Sequence, residues 1–291
     1  MEGKSRQLAL LEGIIAGTLF GTAAIFIRLI DMNAYSIALW RLIIAAGTLG
    51  FVILVLQKRY RSCMIRSNSK HFLVLGVLIG AHFILFVSAV KTTTILNATV
   101  LVNTTPVFSM IISTFLYRLK PSRLAITGIT LSFIGAGLIA YRDTATGETA
   151  NLVGDLEAIL AAVAEGFYLN YGREKRGRLP LLPTMFLVYL AAAVTVCGTI
   201  VSTGTTFEVS QNLETFLFLI GLAVLPTATA HTLYFSSLSD LKSFETATMA
   251  LLEPLGATLL GVAIFAEVPT PIFVLGSVLV LTGILAVALE K

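Results

Sequence analysis

The sequence predicts an all-α integral membrane protein: ten transmembrane helices arranged as two five-helix repeats of inverted topology. Three observations carry that prediction. Charge is scarce, with 20 Lys and Arg and 16 Asp and Glu among 291 residues, or 12%, about half the roughly 25% of a soluble domain. Hydrophobic residues make up 56% and mean hydropathy is +0.91, so a water-soluble globule would lack the polar surface to cover itself. The apolar residues fall in runs of membrane length, and the first half of the chain aligns with the second. A hydrocarbon core of about 30 Å takes about 20 residues of helix, so no large soluble domain fits beside ten such runs.

The runs, broken by charge, Gly or Pro, lie at 8–29, 34–56, 71–90, 97–116, 122–140, 152–171, 181–202, 213–237, 246–265 and 270–289. Backbone groups in lipid find no water, so each run is a helix or a strand of a closed barrel. Barrel strands are about ten residues long and alternate in polarity, and these runs do neither. Lys4 and Arg6 ahead of the first run resemble the start of a signal peptide, but apolar sequence continues to about Ile30, too long for a cleaved segment.

The breaks set orientation, because Lys and Arg are retained on the cytoplasmic side. Alternate breaks and the two ends hold Lys4, Arg6, Lys58, Arg59, Arg61, Arg66, Lys70, Arg118, Lys120, Arg123, Arg173, Lys175, Arg176, Arg178, Lys242 and Lys291, which is 16 of the 20 basic residues. Both termini are therefore expected in the cytoplasm, with the chain in the cytoplasmic membrane. The net charge of +4 is spread over short loops, so its meaning is topological and no nucleic-acid partner is expected. Cys63 and Cys197 lie far apart with no Cys or His at ligand spacing, which argues against a disulfide framework or a metal site.

At an offset of 148, Leu85, Ser88, Pro106, Pro121, Gly128, Gly135 and Ala140 meet Leu233, Ser236, Pro254, Pro269, Gly276, Gly283 and Ala288. At 145, Leu11-Glu12, Ala16 and Gly21 meet Leu156-Glu157, Ala161 and Gly166. The expected units are 1–145 and 150–291. Five spans is an odd number, so the second unit enters the membrane from the opposite side. Transporters of this build place their site at the midplane between the halves.

The segment Leu101-Val102-Asn103-Thr104-Thr105-Pro106-Val107-Phe108, running on to Pro121 and Gly128, resembles one copy of the EamA repeat of the drug/metabolite transporter superfamily. Leu252-Glu253-Pro254-Leu255, followed by Ala266-Glu267-Val268-Pro269-Thr270 and Gly276, resembles the other. Trp40-Arg41-Leu42-Ile43-Ile44-Ala45-Ala46 is similar to the family's second-helix pattern. The resemblance implies ten spans in two inverted units and the movement of small metabolites, amino acids among them. The chain departs from symmetry where Glu267 aligns with Leu119 and where no Arg in the seventh span matches Arg41.

An ionisable group at membrane depth costs at least about 2.5–3.5 kcal/mol, so each one needs a reason. Glu12 and Glu157 sit in opening turns, where a carboxylate favours the positive helix end. Glu253 lies near midplane depth, just before Pro254, whose missing N–H leaves a backbone acceptor one turn earlier. It reads either as a binder of a substrate ammonium group or coupling proton, or as a structural residue bonded to a neighbouring helix. Pro106 is the mate of Pro254, a second helix-kink and gating candidate, and Asn103 stands just before it. His82 with Phe86, and His231 with Tyr234, offer imidazoles beside aromatic surface. Each histidine equally suits helix-to-helix bonding, and they are not repeat mates. Glu165 shares a helix face with Tyr168. Arg41 pairs with Glu165 or Glu253, contacts a substrate carboxylate, or snorkels to the interface. Gly13, Gly17 and Gly21 repeat every four residues and read as a packing stripe.

No nucleotide-binding loop or hydrolase motif occurs, and no cofactor is expected. The expected function is a secondary transporter that exports amino acids or related compounds, with a small-molecule substrate, the lipid bilayer and a coupling proton as partners. Alternatives are an importer or exchanger of a nucleoside or quaternary amine, an intramembrane enzyme, or a passive channel.

Overall fold

Hydrogen bonding without water leaves helix as the only structure these runs can adopt, and helix is what forms. The computed structural model describes residues 5–56, 62–141, 151–177, 179–210, 212–257 and 271–289, and among them there is no strand. The helices are α1 (Arg6–Phe20), α2 (Ala23–Leu29), α3 (Ala34–Val55), α4 (Ser62–Thr92), α5 (Ile95–Val102), α6 (Thr105–Tyr117), α7 (Arg123–Tyr141), α8 (Leu152–Arg176), α9 (Leu181–Thr203), α10 (Leu213–Leu222), α11 (Thr232–Ser237), α12 (Ser243–Met249) and α13 (Pro271–Ala288). A π-helical stretch, Ala223–His231, joins α10 to α11, and a 3₁₀ turn, Ala250–Leu252, comes directly after α12.

Among the described residues, six stretches are long and apolar enough to cross a membrane: Arg6–Leu29, Ala34–Val55, Asn68–Thr92, Asn97–Tyr117, Leu181–Thr203 and Leu213–Ser237. Shorter apolar stretches lie within α7 and α13. The 25-residue α8 carries Asp155, Glu157 and Glu165 along its length. The expected ninth span runs past residue 257 into 258–270, so Ala266, Glu267, Val268, Pro269 and Thr270 lie outside the described residues. Arg6 Nη2 donates to the Ala288 carbonyl at 3.3 Å, so the two ends of the described chain meet.

Four expected spans are interrupted. The first breaks at Gly21-Thr22, between α1 and α2, where the Thr22 hydroxyl turns back to the Leu19 carbonyl at 2.8 Å. The fourth breaks at Asn103-Thr104, with Pro106 in the first turn of α6, where its missing N–H leaves no helical bond unmade. In the eighth, Pro226 cannot donate to Leu222, and the Thr227 hydroxyl donates to that carbonyl instead, at 2.7 Å. In the ninth, Pro254 cannot donate to Ala250, and the Glu253 N–H takes that carbonyl in a tighter turn.

Packing between the halves recurs with the halves exchanged. Antiparallel α7 and α13 cross so closely that a Cβ on Gly128 would stand 2.6 Å from the Gly283 carbonyl, and one on Gly135 2.6 Å from the Gly276 carbonyl. Gly276 and Gly283 are the sequence mates of Gly128 and Gly135, so the contact is its own image. Ser88 donates to Glu157 at 2.8 Å, and their mates Ser236 and Glu12 meet at 3.4 Å. The two carboxylates expected in interfacial turns thus hold a serine of the other half. The stripe of Gly17 and Gly21 packs on residues 249–257, where added Cβ atoms would stand 1.9 Å from the Met249 carbonyl oxygen and 2.6 Å from that of Glu253.

Candidate functional site

The four interruptions meet around one pocket with about 400 Å³ of empty space, part of it open to solvent. Phe20 and Ala23 come from the break in the first span, Val102 and Asn103 from the fourth, His231 from the π-helical stretch, Ala250 from the 3₁₀ turn and Glu253 from the residue at its end. Arg41 of α3, His82, Phe83 and Phe86 of α4, and Glu165 of α8 complete the lining. Irregular backbone at membrane depth is tolerated where it lines a cavity, and here each break does.

Glu253 accepts from Asn103 Nδ2 at 2.9 Å, and the second N–H of that amide goes to the Thr99 carbonyl at 2.8 Å. The structural alternative read for Glu253, a bond to a neighbouring helix, and its place at the pocket therefore hold together. Glu165 Oε2 lies 2.9 Å from Thr105 Oγ1 and 4.0 Å from His82 Nδ1. Thr105 Oγ1 also lies 2.8 Å from the Val102 carbonyl, and one hydroxyl proton serves only one of the two acceptors at a time. His82 Nδ1 is 3.0 Å from the Ala161 carbonyl, and since a carbonyl only accepts, Nδ1 carries the proton. Among the described residues neither glutamate has a Lys or Arg nitrogen within 4.0 Å.

Arg41 is 1% exposed and does not snorkel. Its Nε donates to Thr227 Oγ1 at 3.0 Å, its Cζ lies 4.0 Å above the centre of the Phe83 ring, and it forms no ion pair with Glu165 or Glu253. The Pro226-dependent turn sets Thr227 beside Nε and the Phe83 ring lies under Cζ, so of the readings open to Arg41, pairing with a glutamate and snorkelling are both replaced by a cation–π contact.

Seven of the nine expected binding residues therefore share one pocket: Arg41, His82, Phe86, Asn103, Glu165, His231 and Glu253. Tyr168 and Tyr234 are buried but do not line it. The Tyr168 hydroxyl points to Met185 Sδ at 3.7 Å and its ring lies against Phe235. Tyr234 stands edge-on behind Phe20, with ring centres 5.2 Å apart. Each lies three residues from a lining residue, Glu165 or His231, which is about 60° around a helix and enough to leave a narrow cavity. His82 and His231 are not mates, yet their rings meet at 6.0 Å. The mates are Phe83 and His231, whose rings meet edge to face at 4.9 Å, and His82 adjoins Phe83.

Phe20, Ala23, Phe83, Val102 and Ala250 were missed as lining residues. For two of them the repeat held the signal, because Phe83 is the mate of His231 and Phe20 of Glu165 at the two offsets, whereas Val102 and Ala250 are mates of each other and neither was marked. Asn170 is buried away from the pocket, donating to Ser109 and accepting from Ser243 Oγ at 2.7 Å. No group of three or more His, Cys, Asp or Glu able to hold a metal occurs among the described residues.

The EamA-like transporter family matches residues 7–141 and again 152–289. An uncharacterized transporter YxxF of Bacillus subtilis (strain 168) is 20% identical over 97% of this chain and 90% of its own length. An uncharacterized transporter of Archaeoglobus fulgidus is 25% identical over 98% and 97%. A solved crystal structure overlays with a TM-score of 0.79 at 16% identity, covering 97% of this chain and 96% of the other, a likeness of fold.

Proposed function

The chain belongs to the EamA-like transporter family, and we propose that it is an alternating-access secondary transporter of ten spans that exports amino acids or related compounds across the cytoplasmic membrane. One observation carries this reading: the two carboxylates, two imidazoles and carboxamide gathered where four interrupted helices from both halves of the chain meet. Glu253, with one oxygen tied to Asn103, binds a substrate ammonium group or a coupling proton. His82, Asn103 and His231 orient polar atoms, and Phe20 and Phe86 supply apolar contact.

The contacts that recur with the halves exchanged support two five-helix units, 1–145 and 150–291, related by a two-fold axis in the membrane plane. Such a pair has two near-equivalent packings, open to opposite faces. At the face shared by the two ends, Arg6 holds Glu245 through two bonds of 2.8 and 3.2 Å. At the other, Asp155 accepts from Thr93 and Asn97 at 2.8 and 3.1 Å. In this reading each set closes one face and opens in turn, with both termini in the cytoplasm. The aromatic cage a quaternary amine wants is not favoured, since Arg41 covers Phe83 and the ring of His82 stacks on Phe86.

The test is counterflow in proteoliposomes across a panel of amino acids, amines and nucleosides. Glu253→Gln and His82→Ala, both folded, are expected to lower transport of the amino-acid hit at least about tenfold, the loss of one charged or polar contact. Parent-like transport by both variants refutes the site, and a response only to another substrate class refutes the amino-acid reading.

A further inference from the structure

A guanidinium is costly to bury, and burial is normally accompanied by a carboxylate or a ring of carbonyls that uses its five N–H groups. Arg41 has neither. Thr227 takes Nε and the Phe83 ring lies under Cζ, while Nη1 is buried without any hydrogen-bond partner among the described residues. The same side chain lines the pocket with Glu165 and Glu253, neither close enough to pair with it.

The surrounding chain fixes the side chain in this unpaired condition. Pro226 releases the Leu222 carbonyl, the Thr227 hydroxyl donates to that carbonyl at 2.7 Å, and its lone pair is thereby turned to Arg41 Nε at 3.0 Å. The Thr227 carbonyl in turn accepts from the Tyr189 hydroxyl at 2.7 Å, anchoring this turn to α9. The charge is therefore fixed in place before any ligand arrives, which lowers the cost of binding one.

Resting on the amino-acid reading above, we infer that Arg41 is the carboxylate subsite of the pocket and the residue that selects amino acids over amines and amides of the same shape. A zwitterion adds one charge of each sign: its carboxylate gives the guanidinium its missing acceptor, while its ammonium faces the glutamates. An amine leaves Arg41 buried and unpaired. An amide offers only a neutral acceptor, and hydrogen bonds between charged partners are roughly twice as strong as neutral ones.

The experiment is titration of purified protein with matched pairs, L-phenylalanine, L-leucine and L-threonine each against its carboxamide, for the parent, Arg41→Gln and Arg41→Lys. The parent is expected to bind the acid of a recognised pair at least about tenfold more tightly than the amide. In Arg41→Gln this ratio falls to within about threefold with amide affinity kept, and Arg41→Lys, which retains charge without the stacked plane, lies between. Should Arg41→Gln not fold, the parent and Arg41→Lys still read the ratio. An unchanged ratio in the variants overturns the inference, as does equal loss of acid and amide binding, which assigns Arg41 to structure. Amides that bind the parent as well as acids overturn it while leaving an ammonium-bearing substrate in place. Binding of nucleosides with no response to any acid or amide overturns the amino-acid reading as well.

Discussion

Replacing Gly17 by Ala drives a methyl group into backbone. Its Cβ would lie 1.9 Å from the Met249 carbonyl oxygen and 2.8 Å from its carbon, where real contacts begin near 3.0 Å. Carbonyl and helix must separate by about an ångström, and because the obstacle is main chain no rotamer relieves it. Overpacking of this kind costs about 1–3 kcal/mol. The displaced segment carries Glu253, four residues on, whose 2.9 Å bond from Asn103 does not survive a shift of that size. Loss of a hydrogen bond to a charged group adds about 1.5–3 kcal/mol. The expected result is about 2.5–6 kcal/mol of destabilisation, a fall in melting temperature of at least about 5 °C at roughly 2 °C per kcal/mol, and weaker substrate binding. The control is Gly47→Ala, where nothing lies within 4 Å of the added Cβ. That variant is expected to melt with the parent or up to about 1 kcal/mol above it, from helix propensity alone. A Gly17→Ala protein melting within 2 °C of Gly47→Ala and binding normally refutes the claim that this stripe seats the ninth span.

Two further substitutions probe the polar contacts. Asn103→Ala removes the described hydrogen-bond donor to Glu253 and is expected to cost about 1–3 kcal/mol in thermal unfolding, with unchanged stability counting against the contact. Arg6→Ala leaves Glu245, 1% exposed, with the Lys242 N–H at 2.6 Å but without its guanidinium. Because Arg6 is itself partly exposed, the cost is about 1–2 kcal/mol. In a protein whose native cysteines are replaced, a cysteine at position 243, buried behind that pair, is expected to label with maleimide several-fold faster once Arg6 is gone. Unchanged labelling removes Arg6 from the closure of that face.

How far the sequence disclosed the fold depends on which forces act locally. Hydropathy marks the helices because exclusion from water depends on composition along about 20 residues, and α3 and α9 fall at 34–55 and 181–203, within a residue of expectation. Isolated charge at membrane depth marked Arg41, Glu165 and Glu253, and all three reach one pocket. Partners were not legible, because Thr227 and Phe83 come to Arg41 from other helices and carry no sequence signature of doing so. The break at Gly21-Thr22 was hidden within an uninterrupted apolar run, and Pro226 lay in plain sight within a run read as one helix. Tyr168, read on one face with Glu165, and Tyr234, read on the face adjoining His231, both lie outside the lining, because a residue about 60° around a helix meets a broad neighbour but not a cavity this narrow.

The repeat explains why the site is where it is and why it is chemically one-sided. Phe83 meets its own mate His231, which in the two-unit reading proposed above places both beside the axis that exchanges the halves, and two more mated pairs, Val102 with Ala250 and Phe20 with Glu165, line the same pocket. Each pair occupies equivalent backbone and presents different chemistry: ring against imidazole, isopropyl against methyl, phenyl against carboxylate. The mate of Glu253 is Thr105, which turns from the cavity to reach Glu165 at 2.9 Å. In the reading proposed above, the repeated backbone supplies two interconvertible packings, whereas a ligand carrying opposite charges needs opposite charges to meet it. In the alternating-access reading proposed above, the contacts at the two faces exchange while Arg41 and the glutamates keep the same ligand between them. Duplicating the fold while diversifying the residues nearest the axis satisfies both demands at once.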